Sequence, residues 1–355
     1  MKLLARYVIR EVLGYTALVM AVLLILIGLY LFLTQTDELG TGRYGVFEAL
    51  VVVVCRLPTQ MFTLLPIGAL MGALLALGNL ARSSELVILR ASGVSVFRLA
   101  SWVAVAGFIL TLATWVMGDF AAPAAERFAD QYKQLAKTNE YAATGTQNLW
   151  AKDGNLFVFV QKQQAESALD GVYVLRFDEQ RRLQSIGKAD AAMLKNANQW
   201  RLQHYVETQF ADDRVTISEQ PETTLQTSLS GEFLGAATAD PETLTGAALW
   251  RYGQYLEQNH LESTEYRTAF WTRVARTCTL LVIVLLAVPF SFGPMRSTGM
   301  GARMVIGILI GAVFFLVAKL LSSGGQVYGL DPLVIAWGPT AILLLATLVA
   351  LARVR

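Results

Sequence analysis

Six stretches of the 355-residue chain run without a charged residue for long enough to matter. They lie between Glu11 and Asp37 (25 residues), Arg56 and Arg82 (25), Arg98 and Asp119 (20), Arg276 and Arg296 (19), Arg303 and Lys319 (15, continuing past the lysine) and Asp331 and Arg353 (21). A bilayer core of about 30 Å takes about 20 apolar helical residues, so the pattern predicts six spanning helices. The first run is too long for a signal peptide and lacks a small-residue cleavage site, so it is expected to stay attached. The third and fourth runs are separated by about 150 residues, far more than an ordinary connection.

Within that interval the period changes. Arg127 to Lys137 continues the third helix as an amphipathic stalk, and then alternation of period two takes over. Candidate strands are Leu156 to Val160, Val172 to Phe177, Arg182 to Ile186, Ala191 to Lys195, Trp200 to Phe210, Val215 to Ser218 and Thr224 to Leu229. Gly, Asn and Asp turns between them predict an antiparallel sandwich or open barrel. Strict alternation would put Trp200, Leu202, Val206 and Phe210 on one face of a half-buried strand, with Arg201, Gln203, Glu207 and Gln209 opposite. Such an apolar face is either an ordinary core or a groove that holds lipid. Pro241 to Tyr266 returns to helical spacing, with Leu249, Tyr252 and Leu256 in step.

Charge sets the orientation. The net charge of +2 hides a split: residues 121–268 carry 14 basic and 20 acidic side chains, and the remainder 15 and 7. Lys2, Arg6 and Arg10, then Arg82, Arg90 and Arg98, then Arg296 and Arg303, then Arg353 and Arg355 mark one side of the membrane; the short loops opposite offer Arg43 alone. Short cytoplasmic loops are enriched in Lys and Arg, so both termini are expected in the cytoplasm and the long interval outside it. With 54% hydrophobic and 16% charged residues and no overall basic excess, the chain does not suit nucleic acid. Cys55 and Cys278 fall in or beside apolar runs, which offers no disulfide framework.

Catalytic signatures are sparse. The chain has no G-x-x-x-x-G-K-[ST] loop, no G-x-S-x-G elbow and no H-E-x-x-H pair. Leu321-Ser322-Ser323-Gly324-Gly325-Gln326 imitates the signature loop of transporter ATPases, but the topology puts it on the outer side, where a glycine-rich interhelical turn accounts for it. His204 and His260, the two histidines, both fall in the long interval without metal-ligand spacing.

Three features remain. Between the second and third spans, Ser84 or Ser83 can cap a short helix, Glu85 suits its first turn and Gly93 can end it. Leu86 and Leu89, with Arg90 beside them, would form its apolar face; it is an interfacial helix or a plug for a partner's groove. Charges at membrane depth are costly. Arg56, Arg273, Arg276 and Lys319, with Glu48 eight residues before Arg56, either snorkel to the interface or present cations to an anionic lipid headgroup. Gly68-x-x-x-Gly72 and Gly307-x-x-x-Gly311 permit close helix approach, inside a bundle or across a dimer.

Taken in order, these segments resemble the LptF/LptG permeases of the bacterial lipopolysaccharide-export (Lpt) transporter, the G-type more closely than the F-type. The resemblance spans nearly the whole chain. It is carried by Thr36-Asp37-Glu38-Leu39, Leu65 to Gly78 running into Ser84-Glu85-Leu86-Val87, Leu149-Trp150-Ala151-Lys152-Asp153-Gly154, Arg181-Arg182-Leu183-Gln184-Ser185 and Phe292-Gly293-Pro294-Met295-Arg296-Ser297.

The resemblance implies a membrane α-helical protein of six transmembrane helices with an all-β, jellyroll-like periplasmic domain. Transmembrane helices one to three would occupy 1–120, the periplasmic domain 121–268 and helices four to six 269–355. It implies an inner-membrane subunit that extracts lipopolysaccharide from the outer leaflet and is no ATPase. Partners would be an LptF-type permease, an LptB-type ATPase dimer that binds ATP and Mg, and LptC passing lipid to LptA; the chain itself would bind no cofactor. The cytoplasmic helix, about 83–92, would dock in the ATPase through Ser84, Glu85, Leu86, Leu89 and Arg90. Phe157, Phe159, Trp200, Leu202, Val206 and Phe210 would line the acyl-chain groove. Relatives often carry lysines where this chain has Thr34, Gly40, Thr41 and Thr59, so Arg43, Arg56, Arg273, Arg276 and Lys319, or the partner subunit, would meet the headgroup. The rival readings are an F-type subunit, a force-transmitting scaffold that moves no lipid, and an intramembrane enzyme.

Overall fold

A computed structural model describes residues 2–138, 147–165, 168–196, 199–211, 214–237, 239–292 and 299–353. Beyond Phe292, the motif at 292–297 lies outside the described residues. The chain divides into two units, residues 1–133 with 267–355, and 134–266.

The first unit is a helical bundle. Its helices are α1 (Lys2–Gln35), α2 (Val46–Arg82), the short α3 (Glu85–Ala91), α4 (Val96–Val116), which passes through a π-helical turn at Met117–Ala121 into α5 (Ala122–Thr138), then α8 (Thr264–Phe292), α9 (Met300–Val327) and α10 (Pro332–Arg353). Among the described residues, six helices are long and apolar enough to cross a membrane: α1, α2, α4, α8, α9 and α10. Leu321 to Gln326 continue α9 rather than forming a turn, with Gly325 packed on Ile335 of α10. The chain reverses only at Tyr328–Gly329, where Gly329 takes φ +64°.

Helix α2 is the hub, buried almost continuously from Leu65 to Ala81. Its small residues let neighbours close in on both sides, the device of membrane helix packing where no hydrophobic drive separates helix from lipid. Gly68 and Gly72 face Met20 and Thr16 of α1, while Gly307 and Gly311 of α9 face Met71 and Ile67 of α2. Both small-residue motifs are therefore used inside this chain. Several buried hydroxyls are satisfied locally: Thr114, Thr279, Ser291 and Thr347 each donate to the carbonyl four residues back, and Thr279 meets Thr340 at 2.6 Å between α8 and α10, whereas those of Thr16, Thr268 and Thr272 have no partner among the described residues. A methyl at Gly72 would overlap the Thr16 backbone. Gly72→Ala is therefore expected to lower stability by about 1–3 kcal/mol, the usual cost of overpacking, read as a lower melting temperature in detergent; an unchanged melt would refute the tight crossing.

The second unit holds one six-stranded antiparallel sheet, a meander in the order β1 (Gln147–Asp153), β2 (Leu156–Ala165), β3 (Ala168–Phe177), β4 (Leu183–Asn196), β5 (Gln199–Ala211) and β6 (Arg214–Gln226). Short helices α6 (Gly231–Ala236) and α7 (Gly246–Gln258) follow. The pairs expected as separate strands at 182–186 and 191–195, and at 215–218 and 224–229, are the halves of β4 and β6. The reason is a shared bend. Buried positions step by two along each strand and then by three, Leu169 to Val172 in β3, Ala189 to Ala192 in β4 and Leu202 to Tyr205 in β5, while the pairing register stays in step. Gly171 and His204 take left-handed φ of +62° and +49° on this line. Pro221, which has no N–H to give a ladder, falls between the partners of Gln203 and Tyr205.

Candidate functional site

Helix α3 is where the first unit offers a surface of its own. Ser84 stands at the N-cap position, but its φ of 62° is left-handed and its side chain makes no capping bond. Ser83 does not cap it either: its Oγ donates to Glu85 Oε1 at 2.9 Å and to the Asn79 carbonyl at 3.1 Å. Gly93, at φ +88°, turns the chain out of the helix. The expected apolar face also turns round: Leu86 and Leu89 are buried in the bundle core beside Val8, Leu80 and Leu99, whereas Ile88 is 65% and Val87 44% exposed. Phe97, in the first turn of α4, is 72% exposed at the same end. The leucines anchor the helix, and Val87 with Ile88 forms its outward apolar surface. Arg90 is exposed, with its guanidinium 5.6 Å from the ring centre of Phe292.

At the opposite end of the bundle, most of the membrane-depth cations have partners within the chain. Arg56 Nη2 donates to Asp130 Oδ1 at 2.9 Å, with Glu126 3.7 Å from its Nε. Glu126 also accepts from the hydroxyl of Thr59, and Lys133 pairs with Glu38. Arg273, two turns or more into α8, donates to Asp119 Oδ1 at 3.0 Å and to the Gly118 carbonyl in the π-helical turn. Arg273 and Arg276 both lie over the ring of Phe62, at 5.2 and 5.5 Å. Glu48 accepts from the Gly45 backbone N–H at the head of α2. Arg43 and Lys319 are exposed. The stalk acids that hold Arg56 were visible in the sequence but sit 70 or more positions away, where spacing says nothing.

In the sheet, the bend changes which residues share a face. Trp200 and Leu202 are fully buried and Tyr205 nearly so, whereas Val206 and Phe210 are 36% and 41% exposed on the other side. Phe159 pairs with Tyr173, Tyr173 with Lys188 and Lys188 with Val206, so Phe157 and Phe159 belong with Val206 and Phe210. The six residues expected to line one groove are thus divided, two inward and four outward. The inward face is apolar: Val158, Val160, Val172, Val174 and Leu169 are each 1% exposed or less. Trp200 Nε1 donates to the Leu229 carbonyl at 2.7 Å. Polar groups interrupt this face at Ser185, which donates to Glu207 at 2.7 Å, and at Tyr205, whose buried hydroxyl has no hydrogen-bond partner among the described residues and whose pKa burial pushes up to about 12, so it stays neutral. Outward, the rings of Trp150, Phe159 and Tyr173 form a ladder with centroids 4.9 and 5.9 Å apart, flanked by Lys188. His204, 3.8 Å from Asp190, is exposed at the bend, and His260 is a turn residue at φ +53°.

One carboxylate clasps the sheet. Asp153, at the end of edge strand β1, accepts from Thr227 Oγ1, Ser228 N and Ser228 Oγ at 2.6–2.7 Å, just past the opposite edge strand β6. The meander is thereby curled until its two edges meet at one end, and the buried face is the one enclosed. Burial alone would raise the Asp153 pKa, but the three donors outweigh it and hold it below the usual carboxylate range. Stability from this clasp is present above the unfolded carboxylate pKa and lost as pH falls through the lowered folded one. Asp153→Asn is therefore expected to weaken the domain's resistance to proteolysis by about 1–2 kcal/mol near neutrality. The gap to wild type should close below about pH 4; a gap that does not depend on pH would refute the assignment.

Residues 6–353 match the family model described as lipopolysaccharide export system permease LptF/LptG. The chain is 32% identical over 352 residues to the lipopolysaccharide export system permease protein LptG of Escherichia coli K12, covering 99% of this chain and 98% of that protein. It is 31% identical over 356 residues to LptG of Haemophilus influenzae, covering 99% of each. With six spanning helices and a separate antiparallel sheet in one chain, the sequence belongs to the LptF/LptG family of lipopolysaccharide export system permeases.

Proposed function

We propose that this chain is the non-ATPase half of a transporter that extracts lipopolysaccharide from the outer leaflet of the inner membrane and passes it upward through the enclosed face of its periplasmic sheet. Its termini and α3 face the cytoplasm, in line with the Lys and Arg bias of the short loops. There Val87 and Ile88 dock into an LptB-type ATPase dimer, which binds the ATP and Mg. An LptF-type permease completes the membrane cavity, and LptC receives the lipid on its way to LptA. Closure of the ATPases pushes on α3, narrows the cavity and drives the acyl chains into the sheet.

The observation that carries this reading is the inward sheet face, apolar from Val158 to Leu202 and drawn shut by Asp153. Acyl chains need such a surface, about 25 cal/mol for each Å² removed from water. Arg56 and Arg273, already held by carboxylates, contact a headgroup phosphate only by exchanging partners, which leaves exposed Arg43 and Lys319 as the more available cations. The test is lipid capture by photocrosslinkers along β5 in the assembled transporter. A scaffold that moves force but no lipid would leave every position unlabelled.

A further inference from the structure

Past the bend, the enclosed face changes character on two neighbouring strands. Trp200 and Leu202 of β5 give way to Tyr205, Glu207 and Gln209, and on β4 Gly187 and Ser185 lie opposite Glu207 and Gln209. Glu207 is occupied: Ser185 Oγ donates to one of its oxygens at 2.7 Å and Gln209 Nε2 to the other at 3.2 Å. Tyr205 is not. The phenol end of its ring lies over Gly187, and any side chain there would overlap the hydroxyl. Tyr205 is 5% exposed, and its hydroxyl has no partner among the described residues. An unmade buried hydrogen bond costs stability, and a phenylalanine would fill the same space without that cost, so the hydroxyl calls for an acceptor.

The surroundings say which acceptor fits. Burial keeps the phenol protonated, and therefore a donor. The carboxylate of Glu207, the next inward residue, acts on the hydroxyl more strongly than the opposing Arg176, so the position disfavours a phosphate and suits a neutral oxygen. An acyl chain lying along Trp200 and Leu202 presents its first polar atom, the carbonyl of its linkage, at the following inward position. We propose that the Tyr205 hydroxyl donates to the carbonyl oxygen at the head of an acyl chain and so fixes how far the chain seats along the enclosed face. This rests on the lipid path proposed above.

The experiment uses the complete transporter in proteoliposomes, with a photocrosslinking side chain at Leu202 and ATP present. It is offered lipopolysaccharide, and separately two synthetic glycolipids that differ only in having ester- or ether-linked chains. With Tyr205 in place, the ester form should be captured about three- to tenfold better than the ether form, the worth of one hydrogen bond. Tyr205→Phe should lose that preference and capture lipopolysaccharide about three- to tenfold less. Proteolysis of its sheet domain should be unchanged or slower, since the hydroxyl it removes is unpaired in the empty protein. No preference for the ester form, or lipopolysaccharide capture that ignores Tyr205→Phe, overturns the contact alone, because label at Leu202 still upholds the path. Faster proteolysis of Tyr205→Phe also overturns it, by showing that the protein itself holds the hydroxyl. No lipopolysaccharide label at Leu202 even with Tyr205 in place overturns the path and the contact with it.

Discussion

If α3 docks an LptB-type ATPase as proposed, Ile88→Asp is expected to strip that ATPase from the purified transporter while leaving the permease folded. Ile88 is 65% exposed on α3, so an aspartate there meets water in the free subunit and costs the fold little. In the complex, the same carboxylate would be buried in an apolar groove without a partner, a penalty of about 2–4 kcal/mol or roughly thirty- to a thousandfold in affinity. Leu86→Asp supplies the contrast. Leu86 is buried in the bundle, so its aspartate should damage the permease itself and lower its yield and melting temperature. Co-purification of the ATPase with each variant separates the two. Normal ATPase recovery with Ile88→Asp would place the docking surface elsewhere.

Trp200→Ala should unravel the sheet domain at temperatures the wild type survives. The indole is fully buried, and its N–H donates to the Leu229 carbonyl just before α6. Truncation leaves a large cavity and an unpaired carbonyl, together about 3–5 kcal/mol, a large fraction of a domain's stability. Proteolysis of the full-length protein should then cut within 134–266 well below the melting temperature of the helical unit. Phe210→Ala, at an outward and 41% exposed position, should cost less than about 1 kcal/mol. Equal sensitivity of the two variants would contradict the division of β5 into faces.

These two cases show where the sequence was legible. Six charge-free runs became six long apolar helices, because span length in a bilayer is fixed by thickness and leaves few alternatives. The strands were found, but not their faces. A period of two carries Trp200 and Leu202 inward only until the left-handed His204 inserts one extra step; after it, Tyr205 is inside and Val206 outside. The signal was present in Asp170-Gly171 and Pro221, turn formers in the middle of strands, but only the pairing of β3 with β4 and of β5 with β6 aligns them into one bend. In α3 both faces are apolar, Leu86 with Leu89 and Val87 with Ile88, so spacing could not say which pair the bundle takes. The charges at membrane depth were legible as unusual, but their partners were not. Glu126 and Asp130 reach Arg56 only because α4 continues through a π-helical turn into α5.

The central claim is that lipid travels along the enclosed face of the sheet when ATP is turned over. Photocrosslinking side chains placed singly at Leu202, Gln203, Tyr205 and Val206 of the assembled transporter test it directly, with captured lipopolysaccharide scored with and without ATP. ATP-dependent capture at 202 and 205, and none at 203 and 206, is the predicted result, since the first two point inward across the bend and the others outward. Capture at 203 and 206 instead, or at no position while the transporter hydrolyses ATP and releases lipid, would contradict it.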